Sequence, residues 1–443
     1  MINGVSVLAY KHLQSLSYTC QLLRRDENQA VTGGCNQWAD LDIMRTSALK
    51  ICCDPPLTTK KIMNTQIASC LKMSLKLLSL ALLLPLSSVM AEESAWPMFL
   101  LNPQHDAQPA SNLAPPLDLL WELDVGDLLY ASPAVASGKV FIGSLSGVFY
   151  AVDQETGEPV WSFETADEIS SSAAVDNGKV YFGGKDGTLY CLDAATGKLI
   201  WEYKTQGKIV NSPTLMDGMV YFGSNDMSIY AISAEDGGFI WSTPLAEKPA
   251  SSRGIYASPA VGHGLVYVTR KAFKVYALDA KNGEVVWEFK TRSANYASPV
   301  LSGNTLYIGG YDRNLYALDA KSGKTHWQAT VDEWIYASPI PFQDSVLVSA
   351  KDGVLSSFDS ATGKLRWSQD LRAPISSTPA VTRGGIAFVA NEYGELTAID
   401  VKNGQPIWQE TLPDDGFHSS PAIVGDRLYI GTMNGYLMAW KQR

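Results

Sequence analysis

From residue 119 onward the chain alternates large apolar residues with small or polar ones in short runs. Each run closes on Gly, Asn, Asp or Ser. Period-2 alternation bounded by such punctuation is the pattern of half-buried strands. One stretch shows the order of elements. Ser172–Val175 leads into Lys179–Gly183 (KVYFG), then Thr188–Asp193 (TLYCLD), then Ile200–Tyr203 (IWEY). Asn177-Gly178 and Asp186-Gly187 read as two-residue hairpin turns, because both residue types tolerate positive φ.

The four-strand unit recurs at a period of about forty residues, and self-similarity of that length marks a repeat architecture. Its most regular part is Ala151–Trp161, A-x-D-x-x-T-G-x-x-x-W. The frame returns, with substitutions, at stretches ending on Trp201, Trp241, Trp287, Trp327, Trp367 and Trp408. A Ser-Pro pair marks each innermost strand: Ser132-Pro133, Ser212-Pro213, Ser258-Pro259, Ser298-Pro299, Ser338-Pro339 and Ser420-Pro421, with Ser172-Ala173 and Thr378-Pro379 as variants. Eight inner strands are matched by seven fourth strands within their own repeats. Leu119–Leu123 (LLWEL) resembles Val285–Phe289 (VVWEF) and supplies the eighth. The expected fold is all-β: an eight-bladed propeller of four-stranded antiparallel blades over residues 119–443. The N-terminal strand closes the ring so that no sheet edge stays open there.

Within the frame, Gly157 and its equivalents sit at a turn tip that calls for a left-handed backbone. Asp153, Asp193, Asp279, Asp319, Asp359 and Asp400 end the third strand, where a short carboxylate accepts turn N–H groups. Ala151, Ala231, Ala277, Ala317 and Ala398 are small enough for a ring to lie over them. Trp121, Trp161, Trp201, Trp241, Trp287, Trp327, Trp367 and Trp408 are assigned as docking residues, each giving an apolar face and one N–H donor to a blade junction.

The N-terminal stretch changes the picture of where the protein works. Met73 opens MSLKLLSLALLLPLSSVMA, with Lys76 as the positive flank, an apolar core from Leu77 to Leu86, and Val89 and Ala91 at the −3 and −1 positions. Residues 73–91 read as a cleaved secretory signal. Residues 1–72 then read as a non-native or mis-started extension. Five of the six cysteines fall in that extension, which leaves Cys191 alone and no intramolecular disulfide. No Cys follows the apolar core at the cleavage site, so no lipid anchor is expected, and the expected location is the periplasm. The mature part keeps 26 basic and 40 acidic residues, a net charge of −14. Nucleic acid is thereby excluded as a partner, and no membrane span is expected in the mature chain. Residues 92–118 carry five Pro without a period and read as an extended arm, anchored by Trp96 and Phe99.

The frame resembles the tryptophan-docking motif of the PQQ-like (quinoprotein-dehydrogenase-like) repeat propellers, and the resemblance covers Leu119–Trp440. The arm, WPMFLLNPQH, is similar to the leading segment of bacterial members. The resemblance implies one of two roles. Eight-bladed, exported members act as periplasmic protein-binding scaffolds of outer-membrane β-barrel assembly. Enzymatic members are quinoprotein dehydrogenases that hold the quinone between a Trp and, commonly, a disulfide of adjacent cysteines, with Ca²⁺ bound by Glu and Asn and an Asp as base. The only adjacent cysteines here are Cys52-Cys53, ahead of the signal sequence. Forty-residue blades leave no room for long active-site loops, and His105, His263, His326 and His418 are scattered. The expectation is therefore a non-catalytic scaffold, with no catalytic, cofactor or metal residues and neither PQQ nor calcium. Its expected partner is a protein of the cell envelope, an outer-membrane assembly component. A quinoprotein dehydrogenase and a small-ligand-binding propeller are the alternatives.

Partner-binding candidates lie where the repeat departs from itself. The insertion Leu245–Gly254 (LAEKPASSRG) contains Arg253-Gly254, which resembles the Arg-Gly of a partner-contact loop in scaffold members, with Ser251 and Ser252 where Leu is expected. The position two before each inner-strand hydroxyl reads Tyr130, Ser170, Val210, Tyr256, Tyr296, Tyr336, Ser376 and His418 around the ring. These aromatics line either a channel mouth or packed strand starts. Trp334 and Phe417 add to the same rim. In the fourth blade Thr269-Arg270 replaces Gly-Gly, Lys271 follows, and Phe273 takes the turn-glycine position. These read as solvated loop residues or partner contacts.

Overall fold

In the computed structural model, residues 95–107, 111–245 and 254–443 are described. Residues 1–72 and 73–91, read as an extension and a secretory signal, and Arg253 lie outside them. The described chain forms eight antiparallel sheets of four strands each. The first blade runs Ala134–Ala136, Lys139–Gly143, Val148–Asp153 and Pro159–Glu164. The eighth is completed as expected from the far end of the chain. Leu117–Asp124 pairs with Tyr436–Gln442 in a register that places Trp121 opposite Ala439. Strand bounds agree with the pattern reading in the second blade to within two residues.

Asn177 and Gly178 both have positive φ, 48° and 74°, as the two-residue turn requires. Asp186-Gly187 is a correction. The second and third strands of that blade are joined by four residues, closed by Gly184 N–H to Thr188 O (2.9 Å) and Gly187 N–H to Gly184 O (3.0 Å). Only Gly187 of the Asp-Gly pair has positive φ.

The tryptophans bind blade to blade. A Cβ added to Gly157 would stand 2.7 Å from the ring of Trp121, one blade back, and Gly197 stands in the same relation to Trp161. Glycine is required twice over at Gly157: its φ is 76° and the indole lies flat against it. Each frame Ala faces its own blade's Trp across the ladder, as Ala151 does Trp161. Indole N–H groups donate to the next blade at Trp121 (Gln154 O, 3.2 Å), Trp161 (Ala194 O), Trp241 and Trp287 (3.0 Å), and Trp327 and Trp367 (2.9 Å). Trp201 departs from the expectation: its N–H is buried without an acceptor. The corresponding Ala234 carbonyl accepts from the Tyr181 hydroxyl (2.9 Å). Trp408 makes no such bond either; the eighth blade lacks the frame turn. The aspartates behave as read: Asp153 accepts the N–H groups of Glu155 and Thr156 at 2.9 Å, and these bonds hold its carboxyl below the usual range.

Candidate functional site

The eight inner-strand hydroxyls form a closed belt around the axis. Each stands just before its strand, and each backbone N–H donates to the hydroxyl of the following blade. Ser132 donates to Ser172 (2.8 Å), Ser172 to Ser212, and Ser212 to Ser258 (2.9 Å each). Ser258 donates to Ser298 (2.9 Å), Ser298 to Ser338 (3.1 Å), Ser338 to Thr378 (3.0 Å) and Thr378 to Ser420 (2.9 Å). Ser420 returns to Ser132 at 3.0 Å. All of these hydroxyl residues are buried. The belt explains why Thr stands in for Ser at position 378, since either residue supplies the acceptor.

Above the belt is a cavity of about 140 Å³, whose walls include the belt, Tyr130, Tyr256, Tyr296, Tyr336 and His418, and whose floor is Phe99. The arm supplies that floor. Trp96 exchanges backbone bonds with Val135 (2.7 and 2.8 Å), and the carbonyls of Pro97, Pro103 and Gln104 accept from Val175, Val261 and Leu301 (2.7, 2.7 and 2.9 Å). The arm thus borrows the free edges of the inner strands of blades one, two, four and five. Further along, the Ser111 carbonyl accepts from Arg383 (2.9 Å) and its hydroxyl donates to Gly425 O (2.5 Å). Arm residue His105 is buried between Pro299 O (3.1 Å) and the Thr214 hydroxyl (3.4 Å), its ring 5.6 Å from Phe99. Burial pulls its pKa down to about 4. Trp96 is buried and Phe99 half-buried, so both anchors hold.

The aromatic positions do gather at one mouth. Tyr256 and Tyr296 lie 5.5 Å apart, Tyr296 and Tyr336 5.7 Å, and Tyr130 lies against His418 at 4.7 Å, tilted by 38°. Tyr130, Tyr336 and Trp334 are exposed, at 39%, 36% and 49%. Tyr311 connects the set, 4.7 Å from Tyr296 and 5.0 Å from Trp334, nearly parallel to the latter at 12°. The Lys271 ammonium stands over both Tyr256 (5.3 Å) and Tyr296 (5.1 Å).

A second ring sits just outside the first, at the residue after each second strand's closing pair. Its members include Lys185, Lys271, Tyr311, Lys351 and Glu392. Sequence reasoning missed Lys185, Tyr311, Lys351 and Glu392. No shared residue type marks this loop position from repeat to repeat, and the residues before it vary as well. Lys351 pairs with Glu392, donates to Ser376 Oγ (2.6 Å) and lies 5.3 Å from the Tyr336 ring. Ser376 Oγ also donates to Glu392 (2.5 Å), and His418 Nδ1 is 3.9 Å away from the same carboxylate. Burial lowers the His418 pKa against the pull of Glu392, and Glu392 is held below its ordinary value by Lys351 and Ser376 against its own burial.

Several expectations need correction. His105 and His418, read as scattered, each have partners: Pro299 O and the Thr214 hydroxyl for His105, and the Glu392 carboxylate for His418. Phe417 is fully buried core and adds nothing to the rim. Arg270 is not a solvated loop residue: it is 7% exposed, donates to Leu245 O at 2.6 Å, and leaves its Nε without an acceptor. Phe273 does occupy the turn-glycine place, with φ 63°. Gly254 is buried where a Cβ would run into Asn225 Oδ1, so its smallness is structural. No group of three or more His, Cys, Asp or Glu among the described residues is placed to hold a metal ion.

The family model described as "Beta-alanine-activating enzyme, beta-propeller" matches residues 128–441. The chain belongs to this β-propeller family. No curated protein matches it. Among solved structures, BamB from Moraxella catarrhalis is 20% identical with a TM-score of 0.65, over 74% of this chain and 100% of that one. A europium-containing methanol dehydrogenase is 14% identical with a TM-score of 0.67, over 80% and 99%. The quinohemoprotein alcohol dehydrogenase of Comamonas testosteroni is 16% identical with a TM-score of 0.68, over 79% and 81%. The expected likeness to PQQ-like repeat propellers, BamB among them, is thus found. At these identities it is a likeness of fold, and it includes both non-enzymatic and enzymatic propellers. No helix among the described residues is long and apolar enough to cross a membrane.

Proposed function

We propose that this propeller is a non-catalytic scaffold of the periplasm that holds a protein partner at its aromatic mouth. The partner class the fold suggests is an outer-membrane assembly component, by analogy with BamB. One observation carries the reading. Exposed Tyr130 and Tyr336 line a cavity of only about 140 Å³ whose lining also includes Phe99, and exposed Trp334 stands nearby, stacked on Tyr311. Sites that enclose a small molecule run to roughly 300–1,000 Å³. A shallow aromatic cup suits one or two side chains projecting from a larger partner, and aromatic side chains anchor such contacts.

The quinoprotein alternative fits these residues poorly. Calcium takes six to eight oxygens. The carboxylate among the rim residues described above, Glu392, is already engaged by Lys351 and Ser376. The reading therefore takes neither PQQ nor calcium. A photoreactive residue at Tyr336 or Trp334 of the exported protein is expected to capture a discrete envelope protein. Capture of none at either position removes the scaffold reading. A quinone absorbance and alcohol oxidation after loading with PQQ and Ca²⁺ would restore the enzyme in its place.

A further inference from the structure

The lysines bordering the mouth are not equivalent. Lys185 pairs with Glu168, Lys208 with Asp167 (3.2 Å) and Lys351 with Glu392. Lys271 has no carboxylate among the described residues; its ammonium rests on Tyr256 and Tyr296 alone. Its chain neighbour Arg270 is a buried guanidinium that also lacks a carboxylate, bonded instead to the Leu245 carbonyl and 3.8 Å from Met227 Sδ. Two adjacent positive charges without a carboxylate partner among the described residues stand in a chain of net charge −10. A buried charge of this kind raises the local potential, because the surrounding medium screens it weakly. The neighbouring Tyr296 holds the Lys271 pKa above the ordinary lysine value, so the ammonium stays protonated. Beside it runs a shelf of three rings, Tyr296 tilted by 34° against Tyr311 and Tyr311 stacked on Trp334, with its outer member half exposed.

We propose, building on the scaffold reading, that the mouth binds an extended acidic segment of the protein partner. One Asp or Glu carboxylate of the segment sits on Lys271, and a neighbouring aromatic side chain lies on the Tyr296–Tyr311–Trp334 shelf. Charge complementarity selects the occupant. The carboxylate gives Lys271 the charge-assisted bond that the other mouth lysines make within the chain. The acidic remainder of the surface disfavours the same segment elsewhere, so one bare cation confers specificity.

The test uses the exported chain and two peptides, acetyl-Ala-Phe-Glu-Phe-Ala-amide and its Gln counterpart, titrated calorimetrically. The acidic peptide is expected to bind about tenfold more tightly, the worth of one hydrogen bond between charged groups. Lys271→Met should make the two affinities equal, and Lys208→Met should leave the preference intact; melting curves of both variants check their folding. Equal or absent binding of the two peptides to the unaltered chain overturns the proposal, as does a preference that survives Lys271→Met. Indole-3-acetate binding as tightly as the peptide also overturns it, because the site would then serve free acids. If Lys271→Met leaves crosslinked capture at Tyr336 unchanged, this proposal fails while the scaffold reading stands.

Discussion

Replacing Ser298 with Ala tests whether the hydroxyl belt holds the ring. Ser298 Oγ accepts the Ser258 N–H at 2.9 Å, and both residues are buried, at 5% and 4% exposure. Alanine removes the acceptor and leaves the amide facing apolar carbon. Stranding one buried polar group costs about 1–3 kcal/mol. The cavity above the belt could admit a water to the vacated space, which favours the lower half of that range, about 1–2 kcal/mol. That corresponds to a factor of about 5–30 in a local opening equilibrium.

Global melting is a poor reporter, since a large repeat ring need not unfold in two states. Hydrogen exchange at the Ser258 amide reads the bond itself. It should accelerate about 5–30-fold in Ser298→Ala, while Ser132, across the ring, keeps its protection. Ser298→Thr is the control, because Thr378 already accepts from Ser338 at 3.0 Å; it should restore slow exchange. If Ala leaves Ser258 exchange unchanged, or if Thr exchanges as fast as Ala, the belt is not what closes the inner wall.

Trp327→Ala should destabilise the chain by about 3–5 kcal/mol, since the ring is 9% exposed and loses its bond to Ser360 O. Gly363→Ala should lower the urea midpoint too, because its Cβ would stand 2.5 Å from the Trp327 ring at φ 70°. Trp96→Ala should release the arm; proteolysis within residues 95–107 should become fast while the blades stay resistant. His105 makes stability pH-dependent. Its folded pKa of about 4 lies below the ordinary 6.5, so its contribution is complete above pH 6.5 and falls away as pH drops toward 4. The full swing is about 3 kcal/mol. Urea titrations at pH 7 and 4.5 should show a smaller loss in His105→Gln than in the unaltered chain.

The blade count, the strand order and the closing strand were legible because each rests on side chains that recur. Trp161 needs Gly197, Asp193 needs its turn amides, and the same pairs are written in blade after blade. The arm's course was not legible. Its bonds to Val135, Val175, Val261 and Leu301 come from backbone groups, and backbone groups leave no mark in residue identity. Trp201 keeps the frame yet leaves its N–H without an acceptor, and the Tyr181 hydroxyl on the matching carbonyl does not explain it, because Tyr221 and Trp241 share Ala280 O. Arg270 was misread as solvated because burial of an arginine depends on what packs over it, here Leu245 and Met227. The aromatic ring at the mouth was found, but its partners in the second ring were not, since no periodic pattern flags them.

The same contrast explains why unusual residues collect at the mouth. At the second-ring position the structural bond is made by the main chain. Tyr311 N–H donates to Ala294 O, Lys351 N–H to Trp334 O and Glu392 N–H to Pro374 O, each within 2.9–3.0 Å. Tyrosine, lysine and glutamate meet that demand equally, so the side chain is released from the fold. At Gly157, Asp153 and Ser298 the side chain, or its lack, makes the contact itself, and change there costs stability directly. A propeller can therefore diversify cheaply only at loop positions held by backbone bonds, and these encircle the axis on one face. Lys271 follows the second strand of the fourth blade at the matching place, beside the rings of Tyr296, Tyr311 and Trp334, and has no carboxylate partner among the described residues. An ammonium that rests on two tyrosine rings is the physical reason to look for its partner outside the chain.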